Sequence, residues 1–324
     1  MKKLIGLLLG IPLFFGVIFF FGGTEILTVL LGVNPYYFGC AVLVQIIIVL
    51  LYALRLKLIV SEQGYKIGFG RILKILSAGM AINQLTPIVK AAGEPVKMHY
   101  LSKSGMPVTK AGAATVVEIS SELISFYVFL FFSVLFLSFE KYLSQDFLYA
   151  GGMVFILFAA GMVISFKFLL NEDKLERVFG KLLIKYFKKD AKLSTKIFTS
   201  SLKHLFTCRK LGFKIFSISF FCRFLDIVRV YLLFEALHFS SPLTFALVLW
   251  VVGFMFSMIP WLPGGLGLVE GGTIPVLMLL GISASISSSS ILLERLLTFW
   301  FIILIGVVSF HMLNKRFKEN YEVN

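Results

Sequence analysis

The chain has 324 residues, of which 58% are apolar types and 15% charged, and its mean hydropathy is +0.93. An average soluble domain carries about 25% charged residues, so a pair of soluble domains of this combined length is excluded. The net charge of +14 would suggest nucleic acid in a soluble protein, but here the surplus lies in short segments between apolar runs. There it sets topology and meets anionic lipid, and no nucleic-acid partner is expected.

The apolar stretches are about 17–25 residues long, enough to cross a roughly 30 Å hydrocarbon layer as helices, and lack the alternation of a barrel strand. The predicted class is therefore an all-α integral membrane protein. It has about six transmembrane helices plus two re-entrant helical hairpins in an inverted-topology repeat. In chain order the predicted spans are 4–22, 38–60, 111–137, 149–168, 213–236 and 286–311. The first follows Lys2 and Lys3 and has no small-residue cleavage site after it, so it reads as an uncleaved helix. Two regions, 70–103 and 243–281, each read as two helical pieces joined by a break. The first break holds Pro87 and Gly93, the second Pro263, Gly264, Gly265 and Gly267. Proline removes a backbone donor and glycine loosens the helix, which favours two short pieces over one span. Asn83 and Gln84 stand just before the first break, where they can satisfy freed backbone groups.

The expected organisation is a single polytopic domain over 1–324. It comprises a first repeat at about 38–137, a cytoplasmic basic amphipathic loop at about 171–212 and a second repeat at about 213–311. Within the loop, Leu175, Val178, Phe179, Leu182, Leu183, Tyr186 and Phe187 keep helical rhythm among lysines, as in a helix lying on an anionic leaflet. Lysine and arginine placement puts both termini in the cytoplasm of a multi-pass protein of the cell (plasma) membrane. No basic residue lies between Arg229 and Arg295, so 243–281 enters from the outer face and 70–103 from the inner. A shared offset agrees: Pro87 and Pro263, Glu94 and Glu270, Gly105 and Gly281, and Glu118 and Glu294 are each 176 residues apart. In transporters such repeats place substrate where discontinuous helices meet.

Ionisable groups at membrane depth are the candidate substrate-binding residues, because each costs at least about 2.5–3.5 kcal/mol at a helix centre unless paired or hydrated. They are Glu94, Lys97, Glu118, Glu122, Arg223, Asp226, Arg229, Glu270, Glu294 and Arg295. Glu118 and Glu122 share a helix face, and Arg223, Asp226 and Arg229 step by three along one helix. Arginine suits phosphate because its planar fork binds two oxygens. The competing reading is a salt-bridge network that only fixes helix register. The glycine stretch from Pro263 to Glu270 lacks the Lys-Ser/Thr of a nucleotide loop and reads as unwound backbone at membrane depth. The half-helix after it is expected to aim its N-terminal amides at an anion. His99, His204, His238 and His311 show no ligand spacing and the three cysteines are scattered, so neither a metal nor another cofactor is expected. Ser287 to Ser290 read as capping and helix packing, and no catalytic constellation is present.

Asn83-Gln84-Leu85-Thr86-Pro87 through Gly93-Glu94-Pro95-Val96-Lys97, Val116-Val117-Glu118, the Pro263 to Glu270 stretch, and Leu293-Glu294-Arg295-Leu296-Leu297-Thr298 resemble the lysylphosphatidylglycerol synthase transmembrane-region family. That family includes the flippase domain of the multiple peptide resistance factor. The resemblance spans nearly the whole chain. It implies a flippase-like membrane fold, with movement or binding of an anionic phospholipid or polyprenyl-phosphate-type lipid, and the membrane and a separate lipid-modifying enzyme as partners. The family's first block usually places Arg after the glutamate, whereas Ile119 follows Glu118 here. The soluble aminoacyl-transferase domain of the synthases is not in the sequence, so no enzymatic activity is expected. Two alternatives stand beside a lipid flippase: a secondary transporter of a small anion, and a non-transporting membrane partner of a lipid synthase or glycosyltransferase.

Overall fold

The computed structural model describes residues 2–86, 92–139, 191–240, 242–259 and 262–322, with isolated positions between 152 and 174. The expected span 149–168, the amphipathic stretch 174–189 and Pro87 fall outside those residues, apart from the isolated positions. The described residues are helical throughout, joined by turns. They include three helices long and apolar enough to cross a membrane, Pro35–Glu62, Val108–Phe136 and Ala284–Lys315. A bent pair, Ile11–Gly22 with Glu25–Leu31, makes a fourth when counted as one span. Many large apolar side chains face outward, Phe20 and Leu31 among them, as a lipid-facing surface requires. The chain is a membrane-embedded all-α protein.

The helices run in order as α1 (Lys2–Gly22), α2 (Glu25–Leu31), α3 (Pro35–Glu62), α4 (Phe69–Leu85), α5 (Glu94–Lys103) and α6 (Val108–Phe139). Then follow α7 (Ala191–Thr207), α8 (Arg209–Ala236), α9 (Leu243–Ser257), α10 (Leu268–Leu279), α11 (Ala284–Arg295) and α12 (Phe301–Glu322). A single 3₁₀ turn at Pro263–Gly265 precedes α10, and a π turn at Leu296–Trp300 joins α11 to α12. Local chemistry explains the main boundaries. Pro35 opens α3 at a position whose amide is unsatisfied anyway, and Asn34 accepts from the Tyr36 amide at 3.0 Å. Ser283 caps α11 by accepting from the Ile286 amide. Residues 191–207, inside the segment read as loop, are helical. Thr199, Leu202 and Leu205 recur on one buried face, and this helix packs on α6.

These helices gather into two compact units. Unit 1 holds residues 1–51, 73–96 and 222–324; unit 2 holds 52–72 and 97–221. In unit 1, α10 packs between α9 and α11, and α1 lies against both α10 and α11. Small residues permit the closest approaches. A Cβ on Gly22 would stand 2.8 Å from the Cβ of Ser288, so the small side chain of Ser288 serves the packing of α11 on α1. A Cβ on Gly306 would stand 2.3 Å from the Ala81 Cβ and 2.5 Å from the Ser77 carbonyl oxygen. An apolar cluster of Ala41, Leu233, Leu237, Leu293 and Leu297 joins α3, α8, α11 and the π turn in the same unit.

Gly306→Ala therefore overpacks α12 against α4 and is expected to destabilise the protein by about 1–3 kcal/mol. Gly39→Ala, inside α3 with nothing within 4 Å of the new methyl, should be neutral or stabilise by up to about 1 kcal/mol. Thermal unfolding of the two variants in detergent checks the contrast.

Candidate functional site

The second broken region supplies the first element of the site. Its backbone turns through Gly264 (φ +62°), Gly265 (φ +69°) and Gly267 (φ +81°), a left-handed run that residues with a Cβ enter at a penalty. Space makes the same demand. A Cβ on Gly264 would lie 2.1 Å from the Phe299 ring, and one on Gly267 would lie 2.3 Å from Leu13. The unwound stretch is held by charge. Arg295, at the end of α11, donates from Nη1 to the Gly264 carbonyl at 3.0 Å and from Nε to Glu270 Oε1 at 2.6 Å. Glu270, fully buried, accepts the Gly267 amide on Oε2 at 2.6 Å. The expectation that the α10 N-terminus offers its amides to an outside anion is thus modified. The helix brings its own anion, because a carboxylate three residues into the helix reaches back to cap the free N–H.

The first broken region contributes its two amides to unit 1 differently from expectation. Asn83 Oδ1 accepts the Gly93 amide at 2.6 Å, as expected of a group beside a backbone break. Gln84 instead donates from Nε2 to the Thr298 carbonyl at 2.8 Å. That carbonyl lies in the π turn, where the regular helical ladder is interrupted. Gly93 itself leaves no room for a side chain, since its Cβ would fall 2.0 Å from the Gly79 oxygen. Glu94 begins α5 and is buried.

A second array in unit 1 runs along α8. Arg223, Asp226 and Arg229 form one stripe on successive turns. Arg223 Nη1 meets Asp226 Oδ2 at 3.0 Å, and Arg229 Nη1 meets Asp226 Oδ1 at 2.7 Å. Arg229 then reaches α11 and grips Glu294 with two donors, Nη2 at 2.7 Å and Nε at 3.2 Å. Its Nη1 also donates to Gln45 of α3 at 2.5 Å. The Arg223 guanidinium lies over the rings of Trp250 and Phe254 at 5.5 and 5.7 Å, a contact that strengthens when desolvated. Three helices are thereby tied by one charged stripe, with Arg229 only 2% exposed.

Unit 2 holds an array of its own. Arg55 of α3, completely buried, pairs with Glu118 at 3.2 Å and with Glu122, both on α6. It also donates from Nη1 to Ser219 Oγ at 2.9 Å, and Ser219 donates to Ser121 at 3.0 Å. Lys97 Nζ of α5 meets the other oxygen of Glu118 at 2.8 Å. Glu118, which no arginine follows in the sequence, thus takes its guanidinium partner from a different helix, at Arg55. Arg55 stands at the end of a predicted span and, from the sequence, is also one of the bases within reach of membrane depth. Its place in mid-network, like those of Gln45, Ser219, Trp250 and Phe254, had no local signal. One spacing did carry information: Arg55 lies 63 residues before Glu118 and Arg229 lies 65 before Glu294. Among the described residues no group of three or more His, Cys, Asp or Glu is arranged to hold a metal.

The arrangement suits polar recognition within an apolar bundle. A family model described as the lysylphosphatidylglycerol synthase TM region matches residues 4–306. Relatives similar to the chain are named UPF0104 membrane proteins. One from Methanothermobacter thermautotrophicus is 28% identical, covering 95% of this chain and 94% of its own. Another from Methanocaldococcus jannaschii is 24% identical with coverages of 95% and 94%. A third, from Pyrococcus horikoshii, is 23% identical with coverages of 94% and 96%. No solved structure matches. With the match extending over nearly its full length, the chain belongs to the lysylphosphatidylglycerol synthase transmembrane-region family.

Proposed function

We propose that the protein is a flippase-like carrier that binds an anionic phospholipid or polyprenyl-phosphate-type lipid and passes its headgroup along a polar path inside the membrane. The observation that carries this reading is the Arg295–Glu270 pair, buried on an unwound glycine turn between two half-helices. Irregular backbone at membrane depth is tolerated only where it is buried in protein or lines water. Discontinuous helices of this kind recur at transporter binding sites. Arg223, Arg229 and Arg295 are the proposed headgroup ligands, positioned by Asp226, Glu294 and Glu270 within unit 1; in unit 2 Glu118 and Glu122 hold Arg55, and Lys97 pairs with Glu118.

The proposed scaffold has about six transmembrane helices and two re-entrant hairpins, in two inverted repeats at about 38–137 and 213–311, joined by a basic cytoplasmic loop at about 171–212. The near-equal spacings of Arg55–Glu118 and Arg229–Glu294 support that repeat. The proposed location is the cell membrane with both termini cytoplasmic. The chain itself is proposed to catalyse no reaction, and a separate lipid-modifying enzyme supplies or consumes the lipid.

Proteoliposomes containing a headgroup-labelled anionic phospholipid test this, with accessibility to an external quencher as the readout. The wild type is expected to move label between leaflets, and Glu270→Gln with Arg295→Ala to abolish movement; unchanged movement in that double variant would remove the pair from the path.

A second comparison separates a transport role for the α8 stripe from a merely structural one. Removing one partner of a buried pair costs about 3–5 kcal/mol, whereas replacing the whole network is often neutral. Arg229→Leu alone should destabilise by that amount. Arg229→Leu combined with Glu294→Gln, which leaves the Arg223–Asp226 pair in place, should restore thermal stability yet leave lipid movement lost. Restored movement in the double variant would make the stripe a structural fixture.

A further inference from the structure

Arg55 holds two carboxylates that differ in exposure. The Glu118 side chain is 2% exposed and bound on its other oxygen by Lys97, whereas the Glu122 side chain is 32% exposed. Around this guanidinium, α3 contributes Arg55 itself and the Tyr52 ring at 4.9 Å, and α5 contributes Lys97. Glu118, Ser121 and Glu122 come from α6 and Ser219 from α8. The two cations and two carboxylates of this cluster cancel. In surroundings of low dielectric constant an unbalanced charge is expensive, so an anion added to the intact, neutral cluster meets a full guanidinium and leaves the site net negative.

Protonating Glu122 changes both conditions. The carboxyl becomes neutral, one positive charge at Arg55 is left unbalanced, and the vacated donor lies beside a side chain that is itself partly exposed. A phosphate oxygen is the natural replacement, because the guanidinium fork matches phosphate as well as carboxylate. The Ser219 hydroxyl already beside Arg55 adds a polar neighbour. The α8 array in unit 1 differs. There both carboxylates on Arg229 have side chains at most 14% exposed, and Gln45 adds a further bond.

We infer that Glu122 is an exchangeable ligand of Arg55: on taking a proton it yields its place to a lipid phosphate, so that one proton is bound with each lipid anion at this site. The charge of the cluster is the same before and after, with the phosphate replacing the carboxylate's negative charge and the proton remaining on Glu122. This rests on the lipid-anion reading above and adds to it the site in unit 2 and its linkage to protons.

The test uses the full chain in nanodiscs of zwitterionic phosphatidylcholine, with a fluorescent phosphatidylglycerol as probe, titrated from about pH 8 to about pH 4. Binding that takes up one proton strengthens about tenfold per pH unit of acidification until Glu122 is protonated in the free protein. Wild type is expected to show that slope and to take up one proton per lipid from a weakly buffered solution. Glu122→Gln is expected to bind tightly with no slope and no uptake. Wild-type binding independent of pH and without proton uptake would overturn the inference while leaving lipid binding intact, and this arm holds even where the variant does not fold. No binding at any pH would overturn both readings. Full displacement of the probe by millimolar inorganic phosphate would assign the site to a soluble anion and overturn the lipid assignment.

Discussion

A guanidinium withdrawn from water has to find its counter-charge in the protein, and much of the rest of this molecule is arranged around that demand. Each arginine at depth adds several kilocalories per mole of desolvation unless carboxylates and hydrogen-bond acceptors surround it. Arg229 meets it with Asp226, Glu294 and Gln45; Arg55 with Glu118, Glu122 and Ser219; Arg295 with Glu270 and the Gly264 carbonyl. The partners come from different helices, so satisfying the charge also fixes how those helices stand within each unit. Register and recognition chemistry are then carried by the same residues.

Backbone polarity imposes the second demand. An unwound turn inside an apolar bundle exposes amides and carbonyls that lipid cannot satisfy. The glycine turn before α10 answers with Glu270 on the Gly267 amide and Arg295 on the Gly264 carbonyl. The first break answers with Asn83 on the Gly93 amide, and the π turn after α11 with Gln84 on the Thr298 carbonyl. Side chains here replace the water that a soluble protein would use. Such sites hold their geometry only while their partners stay, and under the proposed function the charged groups are the points at which a headgroup would act.

Every buried arginine described here is engaged by at least one carboxylate, and that bears on the proposed handling of an anionic lipid. Under that proposal a headgroup phosphate entering such a site competes with a carboxylate already in place. Affinity is then governed by how readily the carboxylate withdraws, and exposure and protonation control that more than the number of arginines does.

The sequence by itself determined that the chain is a helical membrane protein, where its three long apolar helices lie, that the helices break before Glu94 and around Pro263 to Gly267, and which charged residues stand among apolar runs. These follow from local properties: run length, proline and glycine placement, and the penalty for a charge in hydrocarbon. The four-residue step from Glu118 to Glu122 and the three-residue steps through Arg223, Asp226 and Arg229 were legible for the same reason, because helical spacing is a property of adjacent residues. The tertiary structure alone decided that Arg55 reaches Glu118 and Glu122 from another helix, that Gln84 serves the π turn and not its own break, and that Glu270 caps its own half-helix. It also decided the bend between α1 and α2 and the seating of Arg223 on Trp250 and Phe254. Each of those depends on which helix faces, distant in sequence, pack together, and an apolar helix in lipid presents many faces of nearly equal merit until its neighbours choose among them.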